Sequence, residues 1–223
     1  IRWYEGGIIK ELDGEYLNNK KHKKWIYWSK NGQKTEEINY DNGVHHGSHI
    51  KWFGEKNDQH KKFHINYKNG DKDGNWRHWY SSGVDSLKAT YLNGERDGHW
   101  IWWRKNGLKD KEGFYKKEKK HGLWTIWNDS TGSAYHKLHE ETYVNNSIDG
   151  KVTKWYKEGG LDRQGIMRGK EKEGEWTYWE RGGKRWLKFD YGNGLEKVTL
   201  GEIEERDGIT FKIGKYEPYV GIV

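Results

Sequence analysis

The chain has no cysteine, one proline and one methionine among its 223 residues. Without cysteine there is no disulfide framework and no thiolate metal site, and the redox compartment stays open. No apolar run approaches the roughly 18 residues that a transmembrane helix needs, and no signal peptide is visible. The chain begins inside a repeat, as a processed or truncated form would, so its localisation also stays open.

Aliphatic residues are scarce as well. Charged residues make up 34% of the chain and apolar residues 32%, a balance that is typical of disordered proteins. However, 16% of the residues are aromatic, whereas disordered chains are poor in aromatic residues. We therefore expect a folded chain with a thin core of aromatic rings. The net charge of +7 permits nucleic acid, anionic lipid or an acidic protein as a partner, although 34 acidic residues are interspersed with the 41 basic ones.

What the sequence does contain is an internal repeat. The stretch Tyr67–Gly83 recurs 24 residues later as Tyr91–Gly107, and a fixed period of this length is typical of a repeat architecture. Extending the register gives seven copies, from Tyr16 to Asp190, with short insertions near Gly54–Phe63 and Asn128–Lys137. The opening position of successive copies holds Tyr16, Tyr40, Tyr67, Tyr91, Tyr115, Tyr143 and Met167, and Tyr191 follows the last copy.

Three further columns have fixed places within each copy. A glycine stands seven residues after the opening residue, and only the first copy departs, with Lys23. Two tryptophan columns, nine and twelve residues after it, hold 12 of the 15 tryptophans. The glycine column is Gly47, Gly74, Gly98, Gly122, Gly150 and Gly174. The first tryptophan column is Trp25, Trp76, Trp100, Trp124 and Trp176, with His49 and Val152 in the remaining copies. The second is Trp28, Trp52, Trp79, Trp103, Trp127, Trp155 and Trp179.

Each copy also contains two turn signals and two strand-like runs. In the third copy the first turn is Asn69–Gly74, the first strand Trp76–Tyr80, the second turn Ser81–Gly83 and the second strand about Asp85–Tyr91. Glycine supplies positive φ angles and asparagine caps its own backbone. Short strands at this spacing predict one hairpin per copy, and a glycine-bearing turn about every ten residues argues against helices.

Strand periodicity predicts which side chains share a face. Trp76 and Trp79 are three residues apart on one strand and so face opposite sides, Trp76 with His78 and Trp79 with Arg77. Both faces therefore carry aromatic residues, and we predict an all-β fold, an elongated, open-ended, single-layer antiparallel sheet of stacked hairpin repeats of about 24 residues. The predicted domain organisation is a single array over 1–223, with a partial repeat at 1–15, seven repeats at 16–190 and a degenerate repeat and cap at 191–223.

The pattern Y-x-N-G-x-x-x-G-x-W-x-x-W, seen from Tyr67 to Trp79, resembles the MORN repeat. It is more closely similar to the variant found in bacterial proteins labelled as antitoxins. The resemblance covers about Tyr16 to Gly194 and implies a non-catalytic scaffold of stacked hairpins used for protein contacts and sometimes proposed to contact acidic lipids. The chain is also similar to choline-binding cell-wall repeats, whose unit is shorter and whose aromatic pattern differs. Departures from the MORN pattern are Asn19, Lys23, His49, Val152 and Met167.

The aromatic columns are the candidate binding surface. Their first explanation is structural, since they form the core. A single layer cannot bury both faces, however, and half-exposed tryptophan beside arginine and lysine makes a good anchor for a partner. Trp102 and Trp186 lie outside both columns, so we expect them at the surface. The candidate binding residues are Trp52, Trp76, Trp79, Trp100, Trp102, Trp103, Trp124, Trp127, Trp155, Trp176 and Trp179, and the glycine column has a structural turn role.

No catalytic, metal or cofactor site is predicted. His45, His46 and His49 cluster in the sequence, but no acidic or cysteine partner completes an obvious zinc set. Adjacent carboxylates such as Glu36 and Glu37 point to opposite faces of a strand and do not form a catalytic pair. There is no nucleophile–histidine–acid order, phosphate-binding loop or dinucleotide fingerprint. We therefore predict that the protein is not an enzyme.

Two functions remain open on the sequence. The first is a repeat scaffold that binds another protein through an aromatic and basic sheet face, an antitoxin bound to its toxin being a special case. The second is a binding module for an anionic polymer, acidic lipid or glycan. Nucleic acid is a further candidate ligand, because its bases stack on aromatic rings. The open sheet ends also permit homo-oligomers or filaments.

Overall fold

In the computed structural model, residues 1–54 and 60–192 are described, together with strand segments at Lys197–Val198, Thr210–Phe211 and Pro218–Tyr219. Most of the predicted cap after residue 191, part of the first insertion and the side chain of Trp186 lie outside these residues. In the described part the protein is all-β and antiparallel, as predicted, with a 3-10 turn at Gly132–Ala134. No helix there is long and apolar enough to cross a membrane.

The chain divides into two compact units, Ile1–Lys120 and His121–Val223. In the first unit, strands that follow one another along the chain pair side by side as hairpins, and the sheet is open. The strands are β1 (Arg2–Trp3), β2 (Lys10–Leu17), β3 (Lys20–Trp28), β4 (Lys34–Asp41), β5 (Val44–Trp52), β6 (Lys61–Lys68), β7 (Asp71–Trp79), β8 (Asp85–Leu92), β9 (Glu95–Arg96), β10 (Gly98–Trp103) and β11 (Lys109–Lys116). Both β9 and β10 pair with β8.

The second unit repeats this arrangement, and its first strand begins at the end of the first unit. Its strands also pair in chain order. They are β12 (Lys119–Trp127), β13 (Lys137–Val144), β14 (Ser147–Trp155), β15 (Leu161–Arg168), β16 (Glu171–Trp179), β17 (Arg185–Asp190) and β18 (Lys197–Val198), while β19 (Thr210–Phe211) and β20 (Pro218–Tyr219) form a separate pair. The prediction of one hairpin per copy is confirmed.

The turn at the start of each copy is tighter than the sequence suggested. In the third copy only Asn69 and Gly70 separate the strands, both with positive φ (51° and 93°), the two-residue turn that suits the twist of a hairpin. The prediction of one turn over Asn69–Gly74 is therefore wrong, because β7 already begins at Asp71. The backbone N–H of Gly70 donates to the carbonyl of His45 at 2.9 Å, which links this hairpin to the preceding one.

The glycine column forms a bulge inside the strand. Gly74 has φ of 84° and lies opposite Tyr91, the opening residue of the next copy. The ladder between β6 and β7 shifts register there, between Ile65 and Tyr67. Lys23 has the same left-handed conformation, with φ of 57°. The first copy therefore differs from the others in residue type at this position, but its backbone conformation is the same. The glycine column therefore sets the backbone conformation of the strand, four residues after the turn glycine.

The core is thin and aromatic in both units. In the first unit Ala89, Tyr91 and Trp100 are buried, and Trp76, Leu87, Trp102 and Tyr115 pack against them. In the second unit the buried cluster is Val152, Trp176, Tyr178 and Phe189. Rings meet mostly edge to face, as between Tyr91 and Trp100 with centroids 5.3 Å apart, a geometry worth roughly 0.5–1.5 kcal/mol per pair beyond burial.

Candidate interaction surface

The two tryptophan columns lie on opposite faces of the sheet. We call the face with the first column the inner face and the face with the second column the outer face. On β7 the rings of Trp76 and His78 lie 5.1 Å apart, and the guanidinium of Arg77 lies 4.9 Å from the Trp79 ring centroid. The predicted division of side chains between the two faces is therefore confirmed for this strand.

Tryptophans of the inner face are mostly core residues. Trp25, Trp100, Trp124 and Trp176 are only 2–5% exposed. Three of their indole N–H groups donate to backbone carbonyls, those of Trp25 to Glu15, of Trp100 to Thr90 and of Trp176 to Ile166, at 2.9–3.1 Å. Of the predicted binding residues, Trp100, Trp124 and Trp176 thus have no free ring face to offer a partner.

A small residue eleven positions earlier makes room for each buried indole. Any Cβ at Gly165 would fall well inside contact distance of the Trp176 ring, and Gly14 stands in the same relation to Trp25. Beside Trp100 of the fourth copy, this place is taken by Ala89. Burial of these rings therefore depends on the absence of a side chain on the neighbouring strand.

Where that position holds a larger residue, the indole either lacks its hydrogen bond or is replaced by another side chain. Ile65 pairs with Trp76, whose buried indole N–H has no hydrogen-bond partner among the described residues. Ile38 pairs with His49, so the second copy has an imidazole in place of an indole. The size of the residue eleven positions earlier is thus related to what the first tryptophan column holds. A glycine or alanine there stands beside a buried, hydrogen-bonded indole, whereas an isoleucine stands beside His49 or beside Trp76. The sequence contains this relation, but its periodicity alone does not reveal it.

A row of cations covers the inner-face rings. The Lys21 ammonium lies 4.5 Å from the Trp25 ring centroid, and that of Lys72 lies 4.1 Å from the Trp76 centroid. Arg96 covers Tyr115 at 4.2 Å. All three cations occupy the same position of the copy, five residues after the opening residue, a column that was not among the predicted binding residues.

The outer face presents the second tryptophan column. All seven of its indoles are half-buried, and the strand opposite carries an extra residue just before each one, as at the register shift between His78 and Trp79. Such bulges re-aim side chains at the rim of a sheet. The second column is Trp28, Trp52, Trp79, Trp103, Trp127, Trp155 and Trp179, of which all but Trp28 were predicted binding residues.

Cations also lie over the outer-face tryptophans Trp28, Trp79 and Trp103, and each of these cations has a carboxylate partner. Arg77, over Trp79, pairs with Asp85 at 2.6 Å. Lys88, at 5.3 Å from the Trp103 centroid, lies 3.5 Å from the same Asp85. Lys10 lies 5.8 Å from Trp28 and pairs with Asp13 at 2.8 Å. The outer face is therefore aromatic and close to charge balance at these points.

The backbone beneath the outer-face tryptophans is fixed by tyrosine hydroxyls. Tyr80 donates to the carbonyl oxygen of Trp103 at 2.8 Å, and Tyr156 donates to that of Trp179 at 2.6 Å. Each bond joins one copy to the next within a unit, where the indoles of neighbouring copies are two strand widths apart, about 10 Å.

The expectation that Trp102 lies at the surface is corrected. Trp102 is half-buried and packs against the core cluster of Ala89, Tyr91 and Trp100, with its ring centroid 5.5 Å from that of Trp100. The reason is strand periodicity, because residues two apart share a face. Its partner on that face is Lys111, whose ammonium lies 4.9 Å from the ring.

The histidine cluster divides between two places. His46 lies at the hairpin end and contacts Asn69, whereas His45 and His49 are on the inner face with ring centroids 5.5 Å apart. His49 bonds Glu36 at 2.7 Å, and this hydrogen bond lowers the pKa of Glu36. Within the described residues no group of histidine and carboxylate side chains is arranged to hold a metal ion.

Adjacent carboxylates point apart, as strand periodicity requires. Glu36 bonds His49 on the inner face, whereas Glu37 pairs with Lys34 at 2.6 Å. Glu140 and Glu141 separate in the same way, toward Lys137 and Lys154.

No model of a known protein family matches the chain, and no curated protein matches it. The resemblance to the MORN repeat therefore stays a prediction that rests on the residues quoted above.

Proposed function

We propose that the chain is a non-catalytic repeat scaffold of the MORN type that binds a partner protein through its outer face. The observation that carries this proposal is the second tryptophan column, seven half-buried indoles at one repeat position, set beside a first column that is largely buried in the core. Tryptophan and arginine are the residue types most enriched at the energetic centre of protein interfaces. Arg77 over Trp79 combines both.

Apolar residues beside the column extend this surface. In the first unit Ile26, Ile50 and Ile101 stand two residues before a second-column tryptophan, on the same face, and each is half-buried. Phe114 is 45% exposed and stacks on His99 at 4.5 Å. Because the neighbouring cations are neutralised by carboxylates, contact with a protein would not bury an unpaired charge on this surface.

The test begins with capture of partners from a nuclease-treated lysate of the source organism, followed by binding measurements with the purified partner. Trp79→Ala combined with Trp103→Ala should weaken binding about tenfold or more, because anchors at interface centres cost at least about 2 kcal/mol when truncated. Arg77→Ala, which leaves the Trp79 ring in place, should weaken binding by a smaller factor.

Tyr16→Ala is the matched control, since Tyr16 is a 65% exposed aromatic residue of the inner face. It should leave the affinity within about twofold. Thermal unfolding of each variant separates lost binding from lost folding. Equal losses in Tyr16→Ala and the outer-face variants would refute the outer face as the binding site.

A further inference from the structure

The outer-face tryptophans Trp79 and Trp103 differ from the buried tryptophans in their indole N–H groups. Those of Trp25, Trp100 and Trp176 donate to backbone carbonyls. In the part of the chain that the structure describes, the N–H groups of Trp79 and Trp103 have no hydrogen-bond partner, and neither group is buried. Each of these two rings therefore has a donor available for an acceptor on a ligand.

The surface between the two indoles also consists mainly of donors. Arg77 is exposed and bonds Asp85 through Nε and Nη2, at 2.6 and 2.8 Å, so its other N–H groups face solvent. Lys88 is exposed as well and lies 3.5 Å from the same carboxylate. The acceptor of this surface is thus engaged by two cations, whereas several donors are not. Such a surface favours a ligand that presents acceptors and few donors.

The two indoles lie on a line that crosses the strands. Trp79 pairs with Asp85 on β8, and Trp103 follows Trp102, which pairs with Leu87 on the other side of β8. The indoles are therefore at almost the same height along the strands and two strand widths apart, about 9.4–9.8 Å. A polyproline II helix has three residues per turn and advances about 9.3 Å per turn. Every third residue of such a helix can therefore meet an indole.

Other peptide conformations fit this surface less well. The carbonyls of an α-helix are bonded within the helix and cannot accept from the indole N–H groups. A β-strand adds to the edge of a sheet and not to its face. A polyproline II segment leaves all its carbonyls unbonded, and proline has no N–H. Proline-rich segments also dock on aromatic surfaces at a low cost in conformational entropy.

We propose that the outer face of the first unit binds a proline-rich segment of the partner protein, in the polyproline II conformation and running across the strands. Trp79 and Trp103 supply ring faces and N–H donors, and Arg77 and Lys88 supply further donors to the carbonyls of the segment. This inference rests on the proposed function, because it names the chemical class of the segment that the same face binds.

The test is a fluorescence anisotropy titration of labelled decaproline, whose length of about 28 Å matches the row of four second-column tryptophans in the first unit. A glycine–serine peptide of equal length and a helical Glu-Ala-Ala-Ala-Lys repeat are the comparison peptides. We expect both to bind at least about tenfold more weakly than decaproline. Because decaproline has no charged side chains, its affinity should change by about twofold or less between low and high salt.

Three variants locate the site. Trp79→Ala with Trp103→Ala should weaken decaproline binding about tenfold or more. Trp79→Phe with Trp103→Phe keeps two rings and removes two donors, so it should weaken binding by a smaller factor, about threefold or more. Tyr16→Ala, on the inner face, should leave the affinity within about twofold. Thermal unfolding of each variant separates lost binding from lost folding.

Several results would overturn this inference. They are failure of decaproline to bind the wild-type protein, tighter binding of the helical peptide, and an equal loss in Tyr16→Ala. An unchanged affinity of the double phenylalanine variant would contradict the donor role of the indoles. The captured partner distinguishes this inference from the proposed function. If that partner needs Trp79 and Trp103 but decaproline does not compete with it, the inference fails and the proposed function stands. If the partner does not need them, the proposed function itself fails.

A second readout does not depend on variants. In the nuclear magnetic resonance spectrum of isotope-labelled protein, the indole N–H signals of Trp79 and Trp103 should shift when decaproline is added. The signals of Trp25 and Trp100, whose N–H groups bond the backbone, should stay in place. Shifts of all four signals, or of none, contradict a site on the outer face.

Discussion

At the residue scale, one position of the copy demands a left-handed backbone. Gly74 and Lys23 occupy it with φ of 84° and 57°, and this conformation costs a residue with a Cβ roughly 1–2 kcal/mol. Nothing lies within 4 Å of a Cβ placed on Gly74, so packing does not contribute there. Substitutions at these two positions therefore measure the cost of the left-handed backbone conformation separately from packing.

We expect Gly74→Ala to lower the free energy of unfolding by about 1 kcal/mol, the backbone strain less the entropy that alanine removes from the unfolded chain. Lys23→Gly should raise it by up to about 1 kcal/mol, since the Lys23–Glu15 ion pair is exposed and contributes little. Urea unfolding followed by tryptophan fluorescence measures both. If both substitutions shift the midpoint in the same direction, backbone conformation is not what selects glycine here.

At the element scale, the hairpins that bury an indole place a small residue beside it on the preceding strand. Gly165 leaves room for Trp176, whose N–H then reaches the carbonyl of Ile166 at 2.9 Å. A side chain at the small position would displace the ring from the core of the second unit. Where isoleucine takes the small position, the residue opposite is either His49, beside Ile38, or Trp76, beside Ile65, and the indole N–H of Trp76 has no hydrogen-bond partner among the described residues.

Gly165→Ala should destabilise the protein by about 2 kcal/mol, because an added methyl group in a packed core forces off-rotamer side chains or backbone shifts. Gly182→Ala is the control, since open space surrounds Gly182, and it should change stability by no more than about 0.5 kcal/mol. Thermal unfolding and near-ultraviolet circular dichroism report stability and ring packing. Equal effects of the two substitutions would contradict the role given to Gly165.

At the scale of the whole molecule, histidines are distributed over both units in partly buried sites. Burial lowers the pKa of His45, His64, His78 and His139, and nearby charges such as Lys72 beside His78 add to the shift. A histidine with a lowered pKa in the folded state takes up protons more readily when the chain is unfolded. Its contribution to stability is therefore present above the unfolded pKa of about 6.5 and is lost as pH falls below it.

We expect the melting temperature to fall as pH is lowered from 7.5 to 5.5. A second fall should follow below about pH 4.5, where carboxylates with lowered pKa, such as Glu36 and Asp85, become protonated. His78→Phe keeps a ring between Phe63 and Trp76 and removes one titrating group. Scanning calorimetry across this range should therefore show a shallower first slope for the variant, and an unchanged slope would show that His78 does not contribute.

The sequence by itself determined the repeat, its hairpins and the division of Trp76 and Trp79 between two faces, because turn chemistry and strand periodicity are local properties of the chain. It also contained the cation column of Lys21, Lys72 and Arg96, though we did not recognise it. Which face keeps its rings half-exposed depended on the tertiary structure, since burial is decided by side chains on neighbouring strands. Trp102 was misjudged for that reason. Likewise, only the folded sheet shows which cations have carboxylate partners, as Arg77 has Asp85 and Arg96 has Glu118, because ion pairing across strands depends on register.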